Sequence, residues 1–418
     1  MIRNFAEAHT VLRQFYGPTR TVGPYTLERM QTLMQYLGNP QDSMQVVHVA
    51  GTSGKTSTSY YAAALLETSN TEIGLTVSPH VDEVNERVQI NRVPLPESVF
   101  CEQIDVFLAL VKASGVRPSY FECMVAFAFW EFAKHKVSYA VVEVGLGGLL
   151  DCTNVVKRSD KICVITDIGL DHTDVLGNTL GEIATQKAGI IQPQNHVFMY
   201  EQGKDVMAAV EARVKSQAAI LHVISPRDIT AVAHMPLFQQ RNLYLAQQAA
   251  TLAMIRDTGA TLTNGQKQRA VRTHIPARME IFKMQGKTVI VDGSHNGQKL
   301  GALAESIRAE FPDQSIAAIA GFVKDADERW QRGVTVLTGL ADHIILTSFT
   351  AEQDVPKSSM DPKQVAQYCR DNDFTSVEIE LDPKTALHTL LKRPEPILLI
   401  AGSFYLLNHI RPLITQLT

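Results

Sequence analysis

Residues 46–57, Val46-Val47-His48-Val49-Ala50-Gly51-Thr52-Ser53-Gly54-Lys55-Thr56-Ser57, constrain this chain more than any other stretch. The apolar, mostly β-branched start reads as a short buried strand. A Gly-Thr-Ser-Gly-Lys-Thr turn follows, then a helix-compatible run from Ser57 to Glu67. Strand, glycine turn and helix form the context of a phosphate-binding loop. Glycines let backbone N–H groups approach an anion, and the helix aims its positive end at it. Lys55 is placed to meet the outer phosphates, and Thr56 or Ser57 to offer a hydroxyl to Mg²⁺. The full pattern wants a glycine where Val49 stands, so the loop is a shortened variant. The competing reading is a plain turn between a strand and a helix.

At 418 residues the chain exceeds a single core, which predicts two or three domains. A formal charge of −4 leaves no basic footprint for nucleic acid, and no apolar run is long enough for a membrane span. Met1–Glu7 lacks the hydrophobic region of a signal peptide. Five cysteines without metal-type spacing read as reduced thiols. Together these predict a cytoplasmic protein without nucleic-acid or membrane partners.

In chain order, Leu27–Leu37 has helical spacing, stopped by Gly38-Asn39-Pro40, and Gly17-Pro18 with Gly23-Pro24 reads as a loop before it. Strand Ile73–Val77 ends in Ser78-Pro79-His80, where Ser78 is a candidate metal ligand and a plain turn the rival reading. Residues 97–114 and 121–136 are helical by period. Glu143 lies inside the apolar run Tyr139–Val144, where an unpaired carboxylate is costly. A Mg²⁺ ion at the strand end removes that cost; a salt-bridged core glutamate is the alternative. Gly145-Leu146-Gly147-Gly148 then suggests backbone close to a ligand.

Strand Ile162–Thr166 leads to Asp171-His172. A helix capped at Asn178 or Thr179, with Glu182 in a capping box, carries Lys187 near its end; the plain reading of Lys187 is a cation at a helix C-terminus. Strands near His196–Tyr200 and Ala219–Val223 and a helix from about Arg241 to Arg256 complete the first domain. After a break around 260–275, strands at Thr288–Asp292, Ile316–Ala320, His343–Thr347 and Ile397–Ala401 alternate with helices at 297–310, 329–339, 362–371 and 383–392. This predicts a smaller, doubly wound α/β domain. The expected fold class is thus α/β, with a P-loop ATPase-type domain at 1–272 and a Rossmann-like domain at 273–418. Arg278 lies at the junction, and Asp292-Gly293-Ser294-His295-Asn296 and Gly402-Ser403-Phe404-Tyr405 follow strands.

The ordered set Gly51-Thr52-Ser53-Gly54-Lys55-Thr56, Ser78-Pro79-His80, Phe121-Glu122, Glu143–Gly148, Asp171-His172, Lys187–Ile190, Arg278-Met279-Glu280, Asp292–Asn296 and Gly402–Leu406 resembles the folylpolyglutamate synthase/dihydrofolate synthase family, relatives of the Mur ligases. The resemblance implies ATP-dependent addition of L-glutamate to dihydropteroate or reduced folates through an acyl phosphate. It implies that Gly51, Thr52, Gly54, Lys55, Thr56 and Ser57 hold the phosphates. Ser78, Glu143 and His172 would ligate Mg²⁺. Lys187 would be carbamylated and bind a second Mg²⁺, since carbamylation turns a cation into an anion. Asn242, Arg278 and Asp292 match nucleotide contacts, His295 and Ser403 the glutamate site, and Phe121 and Glu122 the pterin pocket. A monovalent cation and a monomeric state are further expectations from the family.

The chain departs from the family pattern at Leu149, where a basic residue is usual, at Thr56, and at Gln239-Gln240-Arg241 before Asn242. Phosphoryl transfer needs positioning and charge neutralisation more than a protein nucleophile, and no nucleophile–base pair stands out. His295 is a conceivable acceptor for the amine proton. Two rivals remain. A Mur-type ligase for a UDP-linked acceptor is disfavoured because only about 45 residues precede the first strand. A non-ligating nucleotide switch would need neither Lys187 nor the second domain's polar strand ends.

Overall fold

The structure is a computed structural model of the chain and describes residues 1–16, 26–68, 71–229, 232, 235–324, 329–352 and 356–417. The loop expected at Gly17-Pro18 and Gly23-Pro24 lies outside the described residues. The chain forms two compact units, Met1–Thr273 and His274–Thr418. Among the described residues no helix is long and apolar enough to cross a membrane.

The first unit is built on an eight-stranded sheet: β1 (Gln45–Ala50), β2 (Ile73–Thr76), β3 (Gln89–Ile90), β4 (Val93–Pro94), β5 (Tyr139–Glu143), β6 (Ile162–Ile165), β7 (His196–Tyr200) and β8 (Ile220–Ile224). Their order is β4-β3-β2-β5-β1-β6-β7-β8, parallel throughout except for the β3–β4 edge. β1, β2, β5 and β6 are near-continuous apolar runs buried on both faces, as parallel strands covered by helices must be. β1 lies between β5 and β6, with Val49 opposite Glu143 and Ala50 opposite Ile165. The chain builds outward from β1 on both sides, so the turns after β1, β5 and β6 open together at one sheet edge, the switch point where ligands bind in such sheets.

Helix Lys55–Leu66 follows β1. Every residue from Ser57 to Leu66 is buried, and the small residues Ser57, Thr58, Ser59, Ala62, Ala63 and Ala64 allow close approach on more than one side. It packs on helix Leu237–Thr258, whose Ala246, Ala249, Ala250 and Ala253 are buried. That long helix begins four residues before the expected Arg241, because the extended Pro236 launches it. Helix Asn264–Val271 occupies part of the expected break. Thr263 and Gln266 form its capping box, while only Gln266 and Ala270 are buried, too few to leave an apolar period. Thr179, not Asn178, caps helix Leu180–Ala188, with Glu182 completing the box.

The second unit contains β9 (Glu280–Met284), β10 (Lys287–Val291), β11 (Ile316–Ala320), β12 (His343–Leu346), the hairpin β13 (Thr350–Glu352) and β14 (Pro356–Ser358), β15 (Val377–Ile379) and β16 (Ile397–Ala401). Its main sheet runs β15-β12-β11-β16-β10-β9, parallel except for β9. The four strands expected from the sequence are the four central ones. β9, β15 and the hairpin are short or lie at edges, where half-exposed residues blur the pattern. Helix Phe404–Leu417 was not expected either; Pro412 inside it argues against a helix at the level of pattern.

Candidate active site

The turn after β1 is shaped by two glycines. Gly51 and Gly54 have φ of 154° and 86°. A Cβ on Gly51 would collide with the Thr166 hydroxyl, and one on Gly54 with the Asn242 amide oxygen. Gly54 caps helix Lys55–Leu66 without any side-chain hydrogen bond, so no side chain of the cap competes for the first-turn N–H groups. Thr52 and Ser53 donate their N–H groups to Asp167 O at 2.9 and 3.2 Å, tying the turn to the loop after β6. The buried Ser53 hydroxyl has no hydrogen-bond partner among the described residues. Lys55 Nζ donates to Gly51 O at 3.2 Å, and Lys187 Nζ donates to the same carbonyl at 2.8 Å. Lys187 is buried although it lies in the last turn of its helix. The helix-end reading therefore omits its principal feature: the amine reaches the base of the phosphate-type loop.

Glu143 ends β5 and is only 3% exposed. Thr56 Oγ1 donates to its Oε1 at 2.9 Å, and the Ser78 N–H donates to its Oε2 at 3.2 Å. The structure thus gathers Thr56, Glu143 and the Ser78 backbone; the Glu143 carboxylate and the Thr56 hydroxyl are hard oxygens of the kind that suits Mg²⁺, which uses one or two carboxylates plus phosphate and water. Among the described residues no trio of His, Cys, Asp or Glu is assembled for a metal. His172 adopts a left-handed φ of 50° and caps the short helix Thr173–Leu176. Its ring is about half exposed, 3.9 Å from Asp171 Oδ1.

The glycine turn after Glu143 packs tightly. A Cβ on Gly145 would strike the Phe121 ring, and one on Gly148 would lie 2.9 Å from both Gln186 O and Lys187 O. Phe121 is therefore beside this turn. Glu122 accepts from the Ser119 N–H and from Arg29 Nε, both at 2.7 Å, so its carboxylate caps a helix and pairs with a cation. Asn242 is buried against Gly54, whereas its neighbour Arg241 pairs with Asp167 at 2.7 Å. Ser57 is buried in the first helical turn.

In the second unit Asp292 follows β10. It accepts from the Met279 N–H at 2.6 Å and from the Ser294 N–H and hydroxyl at 2.8 and 2.5 Å. Burial raises its pKa, and the nearby Arg278 guanidinium opposes that rise. Arg278 lies over the Phe404 ring, 4.3 Å from its centre. The turns after β10 and β16 are joined by the Gly402 N–H donating to Ser294 O at 2.8 Å. Ser403 is buried, its hydroxyl accepting the Tyr405 N–H. His295 directs Nδ1 to Gly293 O at 2.9 Å, and its Nε2 lies 3.1 Å from Lys299 Nζ. The lone pair that would take up a proton therefore faces a lysine donor. Lys299 was not singled out in the sequence; its i, i+4 spacing from His295 is the signal that was there.

Two Mur ligase models match the chain: the middle domain over residues 49–255 and the glutamate ligase domain over residues 277–404. The chain is 30% identical to the dihydrofolate synthetase of Saccharomyces cerevisiae, over 92% of this chain and 96% of that one. It is 29% identical to a Halobacterium salinarum protein described as a probable bifunctional folylpolyglutamate synthase/dihydropteroate synthase, over 95% of this chain, and spans half of that longer protein. The fold matches a Mycobacterium tuberculosis folylpolyglutamate synthase structure complexed with ADP and AMPPCP, with a TM-score of 0.84, 24% identity and 98% of both chains covered. The chain belongs to the folylpolyglutamate synthase/dihydrofolate synthase family of the Mur ligase superfamily.

Proposed function

We propose that this chain is an ATP-dependent ligase that joins L-glutamate to the carboxylate of dihydropteroate, of a reduced folate, or of both. The observation that carries the reading is the shared carbonyl of Gly51, on which the amines of Lys55 and Lys187 converge beside the Glu143–Thr56 pair. A carboxylate oxygen of the acceptor attacks the γ-phosphorus of ATP, the bond to the β-phosphate oxygen breaks, and ADP leaves. The glutamate nitrogen then attacks the acyl carbon, phosphate departs, and the amine proton is released.

In this reading the N–H groups of Gly51–Ser57 and the Lys55 ammonium hold the phosphates, and Asn242 orients the turn through Gly54. Thr56, Ser78, Glu143 and His172 would hold Mg²⁺, which supplies charge neutralisation on the transferring phosphoryl group. Lys187 is the residue for carbamylation. As a carbamate it would offer oxygens for a second Mg²⁺. Phe121 gives an aromatic face to the pterin, while Glu122 acts through the helix it caps. In the second unit Arg278 and Asp292 serve the nucleotide, and Ser403 and His295 the incoming glutamate. His295 positions rather than deprotonates, because its Nε2 faces Lys299.

Purified protein with ATP, Mg²⁺ and glutamate is incubated with dihydropteroate and, separately, with tetrahydrofolate. A gain of one glutamyl unit on either compound by mass spectrometry supports the reading and names the acceptor. ATP hydrolysis indifferent to any pterin would replace it with the switch.

A further inference from the structure

One buried chain of side chains lies outside the machinery above. His48 sits in the middle of β1 with no exposed surface, among valines. An imidazole there is costly to desolvate. Its Nε2 is 2.8 Å from Thr153 Oγ1, and the Thr153 hydroxyl is 2.5 Å from Asp151 Oδ1. Asp151 Oδ1 also accepts the Thr153 N–H at 3.0 Å, and its Oδ2 accepts the Leu146 N–H at 2.8 Å. Among the described residues His48 Nδ1 has no hydrogen-bond partner. These contacts assign the protons. The ionised carboxylate accepts from the hydroxyl, the hydroxyl oxygen accepts from Nε2–H, and Nδ1 is left as a bare acceptor, a smaller penalty than a stranded N–H. Burial, with Lys161 and Lys157 nearby, keeps the ring neutral.

We propose that His48, Thr153 and Asp151 form a positioning relay that sets the Gly145–Gly148 turn against the phosphate loop. One end is covalently close to that loop, since His48 lies three residues before Gly51. The other end holds Leu146 N–H, at the centre of the turn whose Gly148 packs on the carbonyls of Gln186 and Lys187. Lys187 Nζ, on Gly51 O at 2.8 Å, closes the circuit. An apolar residue at position 48 would fill the space without the desolvation cost, so burial alone does not explain the histidine. That the turn matters for turnover rests on the ligase reading; that the relay orders it does not.

The test compares His48→Gln, His48→Asn and His48→Leu in the full chain, by hydrogen exchange across residues 144–151 and by steady-state ligation. A glutamine nitrogen occupies the position of Nε2 and reaches Thr153; an asparagine nitrogen stops at the position of Nδ1. Expected are exchange at Leu146 and kcat within about threefold of wild type for His48→Gln. His48→Asn and His48→Leu should show exchange at Leu146 raised about tenfold and kcat lowered about 30-fold, with KM for ATP and glutamate within about twofold. A side chain that only fills space would leave kcat unchanged and not separate Gln from Asn. Wild-type exchange at Leu146 in His48→Leu, or Gln no better than Asn, overturns the relay. Should His48→Leu fail to fold, Thr153→Val against Thr153→Ser gives the same contrast. If the wild-type protein makes no glutamyl product, the ligase reading fails while the exchange arm still decides the relay.

Discussion

Replacing Glu143 by Gln keeps the side-chain volume and removes one charge. The carboxylate is 3% exposed and accepts from the Thr56 hydroxyl at 2.9 Å and from the Ser78 N–H at 3.2 Å. An amide has one oxygen and one NH₂ to set against them. With the NH₂ toward Ser78 N–H, donor meets donor and costs about 1–3 kcal/mol. With the NH₂ toward Thr56 the hydroxyl rotates to accept, and both contacts survive. The second orientation wins, so stability should stay within about 1 kcal/mol, a Tm shift of roughly 2–4 °C for a unit of this size. Catalysis should respond differently. If the carboxylate faces Mg²⁺ and the phosphates of ATP as proposed, its loss is worth several kcal/mol; at 1.36 kcal/mol per tenfold, about 4 kcal/mol lowers kcat about 10³-fold. Glu143→Ala removes both acceptors and should add about 2 kcal/mol of destabilisation to the same loss of rate. The assay pairs thermal unfolding with ADP release followed over a Mg²⁺ titration. A Glu143→Gln protein within about tenfold of wild-type kcat, with the same Mg²⁺ dependence, would refute the assignment.

Lys187→Ala loses the 2.8 Å bond to Gly51 O and should be nearly inactive, with partial rescue by acetate if a carbamate is the working group; full activity without rescue restores the helix-end explanation. Gly54→Ala places a Cβ at φ 86° and against Asn242, so it should cost about 1–2 kcal/mol in urea unfolding and raise the KM for ATP; an unchanged KM would detach Asn242 from the nucleotide. Glu280 is 2% exposed as a side chain and pairs with Arg411 at 2.6 Å and His274 at 2.7 Å. Burial pushes its pKa upward, but His274 and Arg411 outweigh that and pull it from 4.5 to about 2. A depressed folded pKa means stability that is present above pH 4.5 and lost as pH falls toward 2, amounting to about 3 kcal/mol. Glu280→Gln should flatten that acid limb in pH-dependent unfolding, and an unaltered limb would show that other carboxylates set it.

Much of this molecule is written locally. Apolar runs such as Val46–Ala50 and Tyr139–Val142 are buried on both faces, so their strands are legible without knowing their neighbours. The capping box of Thr179 and Glu182 and the glycine turn at 51–54 are likewise short-range signals. Elements whose stability comes from position were not legible: β9, β15 and the β13–β14 hairpin are short or marginal strands, and helix Phe404–Leu417 runs through Pro412.

Residue types were readable one by one from the chain, but their partnerships were not. Sequence alone marked Glu143 as unusual, and Lys187 only through the family resemblance; only the β5-β1-β6 order brings Thr56 to Glu143 and Lys187 to Gly51. Glu122, singled out through the family resemblance, likewise has contacts that only the fold reveals, to Ser119 and Arg29. His48 carried no pattern at all, because a histidine inside a strand acquires meaning only when Thr153, 105 residues later, lies 2.8 Å away. The physical reason is range: periodicity and caps act over a few residues, whereas buried polar groups are satisfied by whatever the sheet order places beside them.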